Sequence, residues 1–319
     1  MSSWKTTCNE ITNRFIMLSD GSVTTCCIDA YGANSYGNLH DMTIEDCVKS
    51  KKYQQLTTDL QSSSQCKICR YLNLNPTEVE IEEYKDSLKR GFKGIQIEIT
   101  AKCNYACSGC PSNYLHKKRE TMPDLDKIYD NIAPILPKIE YINCYNYGEP
   151  LLNPKFIDFL LKCRKQNAKL KIGISTNGML LTKEKSEKIV EAKVDWVLVS
   201  LHGAPNTENM LKYAQQGADY EKILENIKVL KEIRDLSGAN FPKISMRAIL
   251  FEWNDTDELM EQFRQDAKKT GITNVNNGLT DEDNYHWILD AASPSERSSK
   301  RFLEGNDEFN RLKDRKELS

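Results

Sequence analysis

From residue 94 onward, short apolar segments rich in β-branched residues alternate with longer segments whose apolar residues recur every three or four positions. The first pattern is typical of buried strands and the second of helices packed by one face. The predicted strands are residues 94–100, 139–144, 170–175, 195–201, 243–251 and a weaker 272–275. The predicted helices between them are residues 124–136, 154–166, 182–192, 220–236 and 255–270.

Regular alternation of strand and helix predicts an α/β fold, because a parallel strand returns to its sheet through a right-handed helical crossover. Six such units are too few for a closed eight-stranded barrel. We therefore predict an open, partial (β/α)6 barrel over residues 94–280.

The N-terminal region has a different pattern. Residues 1–75 combine short extended segments at 15–18 and 22–26, a loop rich in Gly and Asn at 31–39, and one predicted helix at 43–60. Thr77 and Glu80 form a capping box that starts a helix over 78–90, and Gly91 is placed to end it. We therefore predict a small domain at 1–75, a connecting helix at 76–93, the barrel, and a polar C-terminal extension at 281–319.

Composition and charge exclude several classes of protein. Hydrophobic residues make up 39% and charged residues 28% of 319 residues, with a formal net charge of −2. These values are typical of a soluble globular domain, and they do not indicate binding to nucleic acid or to an anionic membrane. The absence of a long apolar run and of a signal-peptide pattern predicts a cytoplasmic protein without a membrane partner.

Eleven cysteines are unusual for a cytoplasmic protein. The cytosol keeps thiols reduced, so tight groups of cysteines there indicate metal ligation rather than disulfides. Two groups stand out. One is Cys103, Cys107 and Cys110, and the other comprises Cys8, Cys26 and the pair Cys66 and Cys69.

The first group has the spacing C-x3-C-x2-C and follows directly on the first predicted strand. In parallel barrels the loops at the carboxyl ends of strands form the active-site face. Three thiolates on one loop can hold three irons of a four-iron cluster and leave the fourth iron without a protein ligand. The alternatives are a structural zinc site, or a complete four-cysteine cluster with a distant fourth ligand.

This motif resembles the signature of the radical S-adenosylmethionine (radical SAM) superfamily, and the resemblance covers roughly residues 94–275. It implies that the open iron chelates SAM. It further implies that an electron, supplied by a reductant such as flavodoxin or ferredoxin, cleaves SAM to methionine and a 5′-deoxyadenosyl radical, which takes a hydrogen atom from substrate.

The resemblance also implies a set of SAM-binding residues. Tyr147-Gly148-Glu149 with the following proline is similar to the family's GGEP motif, whose acidic residue and carbonyls receive the SAM ammonium. Gly109 stands where the family often has an aromatic residue near the adenine, so only its backbone remains to bond the base edge.

Later strand ends add further matches. Thr176 and Asn177 begin a turn that resembles the family's TNG turn, Ser200 lies where a ribose contact is common, and Arg247 is suited to the SAM carboxylate. His202 lies next to Ser200, where a lone histidine is more often structural than in contact with substrate.

The second group resembles the start of a SPASM domain, or of its shorter twitch variant, which binds an auxiliary [4Fe–4S] cluster. Here it precedes the barrel rather than following it. Asn75 stands where a ligand for a second auxiliary cluster would fall, so the resemblance implies one auxiliary cluster. Cys27 and Cys47 are possible substitutes among the four ligands, and the alternative is a zinc knuckle.

The leading hypothesis is an enzyme that abstracts hydrogen from a substrate C–H bond. The resemblance allows either peptide maturation or oxidation of a sugar or aminocyclitol, and the sequence does not choose between a peptide and a small-molecule substrate. The alternative function is a non-catalytic iron–sulfur or zinc protein that acts as a redox sensor or binding module. Modification of nucleic acid is disfavoured, because no basic and aromatic patch is present.

Overall fold

In the computed structural model, the described residues are 6–63, 66, 69, 72–107, 110–115, 117, 122–202, 215–275 and 282–289. The chain forms two compact units. The first contains residues 1–102 and 114–171, and the second contains residues 103–113 and 172–319.

The first unit contains a mixed sheet. Its strands are β1 (Arg14–Met17), β2 (Ser22–Thr24), β3 (Gly37–Asn38), β4 (Gly94–Ile97) and β5 (Tyr141–Cys144), in the order β3-β2-β1-β4-β5. β2 is antiparallel to both β1 and β3. β1 is parallel to β4, which is parallel to β5. A strand from the N-terminal region therefore extends the parallel part of this sheet.

The first unit contains the helices α1 (Asn9–Asn13), α2 (Ile44–Lys49), α3 (Lys51–Thr58), α4 (Glu78–Arg90), α6 (Leu125–Ile132) and α7 (Phe156–Gln166). A short helix, α5 (Ser112–Leu115), lies at the boundary between the two units. The capping box of Thr77 and Glu80 is present at the start of α4. The single helix expected over 43–60 is divided at Ser50, whose backbone is extended and whose side chain accepts a hydrogen bond from Tyr53 N.

The second unit contains parallel strands. They are β6 (Lys171–Thr176), β7 (Trp196–Ser200), β8 (Lys243–Leu250), β9 (Asn274–Val275) and β10 (Asn284–Leu289), in the order β6-β7-β8-β10-β9. Each neighbouring pair is parallel. The helices are α8 (Lys183–Glu191), α9 (Tyr220–Leu236) and α10 (Asp257–Lys269). β10 lies in the segment expected to be a polar extension, and the sequence analysis did not identify it.

Strands and helices are held by buried apolar faces. All four residues of β4 are buried, as expected for a parallel strand covered on both sides. On α9 the stripe of Ile223, Ile227 and Leu230 is fully buried. The α/β fold class is therefore confirmed, with parallel strands separated by helices in both units. Within the described residues, none of the helices has the length and apolarity required to cross a membrane.

A largely buried ion pair links the start of β10 to the end of α9. Arg234 donates to both carboxylate oxygens of Asp283 at 2.7 and 2.8 Å, and also to the carbonyl oxygen of Pro242 at 2.9 Å. Asp283 in turn accepts from the backbone N–H of Ile244 at 2.9 Å. The start of β8, the start of β10 and the last turn of α9 therefore share one charged cluster.

Candidate functional site

The three-cysteine loop belongs to the second unit, where polar groups surround its first cysteine. The sulfur of Cys103 accepts from the backbone N–H of Tyr105 at 3.4 Å and from the Nδ2 of Asn177 at 3.7 Å. Asn177 Nδ2 also donates to the Oδ1 of Asn104 at 2.8 Å. The structure thus brings one predicted SAM-binding residue, Asn177, to the cysteine loop.

The second cysteine is held by a residue that the sequence analysis did not identify. Gln215 donates its backbone N–H to the sulfur of Cys107 at 3.0 Å, and the next residue, Gln216, accepts at its carbonyl oxygen from Ala106 N at 3.2 Å. Burial raises the pKa of the Cys107 thiol, and the backbone bonds from Gln215 and Gln216 oppose that rise.

The third cysteine closes a turn. The backbone N–H of Cys110 donates to the carbonyl oxygen of Cys107 at 3.1 Å. Gly109, which was expected to contact adenine, lies outside the described residues.

Predicted residues on β7 and β8 lie side by side. Ser200 and Arg247 are direct neighbours across the two strands. His202 is half-buried, and its removal from water, followed by the charge of Arg247, lowers its pKa to about 3. Its Nδ1 accepts from the backbone N–H of Ile249 at 3.2 Å. His202 is therefore neutral at physiological pH and has a structural role in this region.

The turn after β6 has the geometry that its sequence predicts. Thr176 Oγ1 accepts from Gly178 N, and Asn177 Oδ1 accepts from Met179 N, both at 3.1 Å. Gly178 has a φ of +83°, and a Cβ at this position would lie 2.9 Å from Val199 and 2.8 Å from Ile223. The turn therefore packs closely against β7 and α9.

The loop with Tyr147, Gly148 and Glu149 belongs to the first unit. Glu149 is 1% exposed; its backbone N–H donates to the carbonyl oxygen of Lys102 at 2.8 Å. Its Oε1 accepts from Leu151 N at 3.1 Å. Gly148 has a φ of +80°, and a Cβ there would lie 2.0 Å from the carbonyl oxygen of Thr100. This loop therefore fits against the chain just before the cysteine loop because residue 148 has no side chain.

Tyr147 packs against a small apolar cluster made of Ala30, Ala101 and Leu115. Ala30 follows Cys26 and Cys27 closely in the chain, whereas Ala101 and Leu115 stand on either side of the cysteine loop. Within the first unit, the segment after the N-terminal cysteines therefore packs with the segments that precede and follow the three-cysteine motif.

Of the four N-terminal cysteines predicted as ligands, Cys69 lies close enough to the other three to influence each of their thiols electrostatically. Burial raises the pKa of Cys8 to about 11, and the charge of Cys69 adds to that rise. The pKa of Cys66 is raised, first by burial and then by Cys69. The pKa of Cys26 is raised by its hydrogen bond to Cys27, by burial and by the charges of Cys27 and Cys69.

The two possible substitutes are placed differently. Cys27 accepts the hydrogen bond from Cys26 and lies near the guanidinium of Arg14, and both interactions lower its pKa, which falls to about 7 despite burial. Cys47 is fully buried, and a Cβ on Gly37 would lie against its sulfur. The charge of Cys69 raises the pKa of Cys8, Cys26 and Cys66. Cys47 instead packs against Gly37 of β3.

The donor atoms of these cysteines are of the kind that iron–sulfur clusters take, free thiols that become thiolate ligands. All eleven cysteines are among the described residues, and none forms a disulfide. In the part of the chain that the structure describes, no three or more His, Cys, Asp or Glu side chains converge closely enough to hold a single metal ion. A four-iron cluster takes one thiolate at each iron, so its ligands are spread around a larger body than one ion.

Comparisons with known proteins find a family match over each of the two cysteine groups. Residues 97–263 match the model of the radical SAM superfamily, and residues 8–70 match the SPASM model, an iron–sulfur cluster-binding domain. The first implies a SAM-binding [4Fe–4S] cluster and SAM, and the second implies an auxiliary iron–sulfur cluster.

Three curated relatives illustrate the range of similar proteins. A tungsten-containing aldehyde ferredoxin oxidoreductase cofactor-modifying protein from Pyrococcus furiosus is 32% identical over 51% of this chain and 45% of its own length. The radical SAM cyclopropyl synthase TigE from Paramaledivibacter caminithermalis is 32% identical over 48% of this chain and 38% of its own. An S-adenosyl-L-methionine-dependent 2-deoxy-scyllo-inosamine dehydrogenase from Niallia circulans is 28% identical over 42% of this chain and 54% of its own. The chain therefore spans about half the length of these relatives.

Proposed function

The chain belongs to the radical SAM superfamily, and from this membership we propose that it cleaves SAM reductively and abstracts a hydrogen atom from a substrate C–H bond. The observation that carries the proposal is the loop of Cys103, Cys107 and Cys110. Its sulfurs at Cys103 and Cys107 accept N–H hydrogen bonds within one unit. Such bonds stabilise thiolates, which are the form that ligates iron.

Cys103, Cys107 and Cys110 would hold the cluster through their three thiolates. When bound, the cluster would supply the electron for reductive cleavage of SAM to methionine and a 5′-deoxyadenosyl radical, and a reductant such as flavodoxin or ferredoxin would provide that electron. The SAM-binding residues named below would orient SAM and exclude water from it.

We assign SAM contacts by the resemblance of motifs. Glu149, with the backbone at Tyr147 and Gly148, receives the ammonium, and its burial supports this role because a buried cation needs a charged or carbonyl acceptor. Arg247 pairs with the carboxylate.

Further contacts are proposed around the nucleoside. Ser200 and the turn of Thr176 and Asn177 face the ribose and adenine, and Gly109 offers backbone groups to the base. Asn177 is supported by its hydrogen bond to Asn104 in the cysteine loop.

The auxiliary [4Fe–4S] cluster is assigned to Cys8, Cys26, Cys66 and Cys69. The shared electrostatic influence of Cys69 supports this set over one containing Cys47, whereas Cys27 is hydrogen-bonded to Cys26 and stays an alternative ligand. A closed cluster of this kind is suited to accepting an electron from the substrate radical. The proposal places this cluster in a domain of residues 1–75, before a connecting helix and the barrel.

Two substrate classes are proposed, one supported by a relative and one by the SPASM resemblance. The dehydrogenase from Niallia circulans acts on an aminocyclitol, which supports a sugar or aminocyclitol, and peptide maturation is the other class. Assays with purified enzyme and each class of compound separate them, because only a true substrate increases 5′-deoxyadenosine formation above the uncoupled rate.

The test of the function is anaerobic reconstitution followed by iron, sulfide and 5′-deoxyadenosine measurement. The proposal expects about eight irons per chain and SAM cleavage with dithionite. A variant with Cys103, Cys107 and Cys110 changed to Ala is expected to lose about four irons and all cleavage. Cys163→Ala, which removes a buried thiol from α7, is the matched control and keeps both. Zinc in place of iron, or no cleavage by fully loaded protein, would favour the redox sensor or binding module.

A further inference from the structure

Gln215 combines burial, an unusual backbone conformation and a hydrogen bond to a predicted cluster ligand. Its side chain is 2% exposed, its backbone lies in the left-handed region at φ +51°, and its N–H points at the sulfur of Cys107 from 3.0 Å. A non-glycine residue in this conformation is strained by about 1 kcal/mol, so other contacts must hold it.

The side chain supplies those contacts. Gln215 Nε2 donates to the carbonyl oxygen of Ser200 at 2.7 Å, and Gln215 Oε1 accepts from the backbone N–H of His202 at 2.8 Å. The amide therefore spans the last residue of β7 and the residue two positions on. Both ends of the amide are used, so its orientation is fixed.

The strand end that holds Gln215 is itself fixed. His202 accepts from Ile249 N at 3.2 Å through Nδ1, and its carbonyl oxygen accepts from the Nδ2 of Asn254 at 3.1 Å. Asn254 Nδ2 also donates to the carbonyl oxygen of Ile249 at 2.9 Å. A continuous set of hydrogen bonds thus runs from β8 through His202 and Gln215 to the sulfur of Cys107.

We infer that Gln215 is a positioning residue that sets the reduction potential of the SAM-binding cluster through the N–H···S bond to Cys107. The inference rests on the proposed function, because Cys107 must ligate iron. A hydrogen bond to a ligating sulfur stabilises the negative charge that the cluster gains on reduction, so it raises the potential. The rigid amide keeps the N–H aimed at the sulfur.

The test compares Gln215 with Ala218, three positions along the chain. Gln215→Gly removes both side-chain bonds while glycine still adopts the left-handed backbone without strain. Ala218→Gly places the same flexible residue in the same segment and keeps the bond from the backbone N–H of residue 218 to the carbonyl oxygen of Gln215 at 2.9 Å. Redox titration of the holoenzyme, followed by electron paramagnetic resonance, measures both clusters, and the signal that changes on SAM addition belongs to the SAM-binding one.

Gln215→Gly is expected to shift the potential of the SAM-binding cluster to a more negative value, with the auxiliary cluster unchanged as an internal reference. Ala218→Gly is expected to match the wild type. If Gln215→Gly does not retain the cluster, the titration is made on Gln215→Asn, a neutral residue that tolerates the left-handed backbone but whose shorter amide cannot reach both Ser200 and His202, and it is expected to shift in the same direction.

An unchanged potential in a Gln215 variant that keeps both clusters would overturn the inference. An equal shift in Ala218→Gly would also overturn it, because loop flexibility would then explain the effect. Neither result touches the proposed function, which fails if the protein holds zinc in place of iron, if fully loaded protein does not cleave SAM, or if cleavage survives the loss of Cys103, Cys107 and Cys110.

Discussion

Gly148 occupies a position where both backbone angle and space exclude a side chain. Its φ is +80°, and a Cβ would lie 2.0 Å from the Thr100 carbonyl oxygen and 2.7 Å from that of Lys102. Both obstacles are backbone atoms, which cannot rotate away as a side chain does. The loop that presents Glu149 would therefore have to shift as a whole.

We expect Gly148→Ala to lower the free energy of unfolding by about 2 kcal/mol or more and to weaken SAM binding. Gly238→Ala is the control, because Gly238 also has a positive φ of +68° but a Cβ there would meet nothing within 4 Å. That change should cost about 1 kcal/mol from backbone strain alone. Urea unfolding and SAM titration of both variants provide the comparison, and equal losses would show that space around Gly148 is unimportant.

His202 couples stability to pH. Its pKa in the fold is lowered to about 3, whereas an unfolded chain has the ordinary value near 6.5. Between these values the unfolded chain binds a proton that the folded chain does not. Stability is therefore full above about pH 6.5 and falls as the pH decreases toward 3, by up to about 1.4 kcal/mol per pH unit.

The corresponding variant is His202→Asn, whose Oδ1 can accept from Ile249 N as the imidazole Nδ1 does. We expect it to be less stable than the wild type at pH 7.5 but to lose less stability between pH 7.5 and 5.5. Urea midpoints at the two pH values measure this. An identical pH dependence in the two proteins would mean that His202 does not carry the effect.

At the scale of elements, β10 depends on charge as well as on strand pairing. Arg234 has 8% and Asp283 has 16% of the side chain exposed, so their bidentate pair is largely shielded from water. Removing one partner of such a pair leaves a buried charge uncompensated.

Asp283→Ala is expected to lower the free energy of unfolding by about 2 to 3 kcal/mol and to speed hydrogen exchange of the β10 amides. Asp235→Ala is the matched control, since Asp235 pairs with the same guanidinium but is 47% exposed. It should cost less than about 1 kcal/mol. Equal losses of stability from Asp283→Ala and Asp235→Ala would mean that the ion pairs of Arg234 stabilise the end of α9 rather than β10.

Elements defined by local signals could be predicted from the sequence, and those defined by distant contacts could not. The capping box of Thr77 and Glu80 and the stripe of Ile223 and Ile227 specify their helices locally. The break at Ser50 was missed because serine is also tolerated within helices, and only its use as a cap shows the division. β10 was missed because its partner, β8, lies about forty residues earlier and its flanks are polar.

The same distinction applies to the candidate site. Cysteine spacing specifies the predicted ligands, and the turn of Thr176 and Asn177 is readable from its residues. Gln215 was not identified because its partner Cys107 is 108 positions away. Its one local signal is the following Gln-Gly pair, which indicates only a turn.

At the scale of the whole molecule, the N-terminal region and the family's catalytic region share secondary structure. β1 lies between β2 and β4, and its residues Phe15, Ile16 and Met17 are at most 1% exposed. Removal of this strand would expose an unpaired strand edge and the apolar residues beside it.

We therefore expect a fragment that starts at residue 76 to be insoluble or to aggregate, even though it contains the whole match to the radical SAM model. The full chain with Cys8, Cys26, Cys66 and Cys69 changed to Ala is the control, since it lacks the auxiliary ligands but keeps β1. It should remain soluble and retain about four irons. Size-exclusion chromatography and iron analysis give the result, and a soluble, monodisperse fragment would contradict the expectation.

The pairing of β1 with β4 also bears on how such a chain is inherited. Residues 8–70 and 97–263 match two separate family models, yet a strand from the first range completes the sheet of the second. A recombination event that exchanged the N-terminal module alone would have to supply an equivalent strand in the same register. The two modules of this chain are therefore expected to share one evolutionary history, and a phylogeny built from either range should reproduce the branching order of the other.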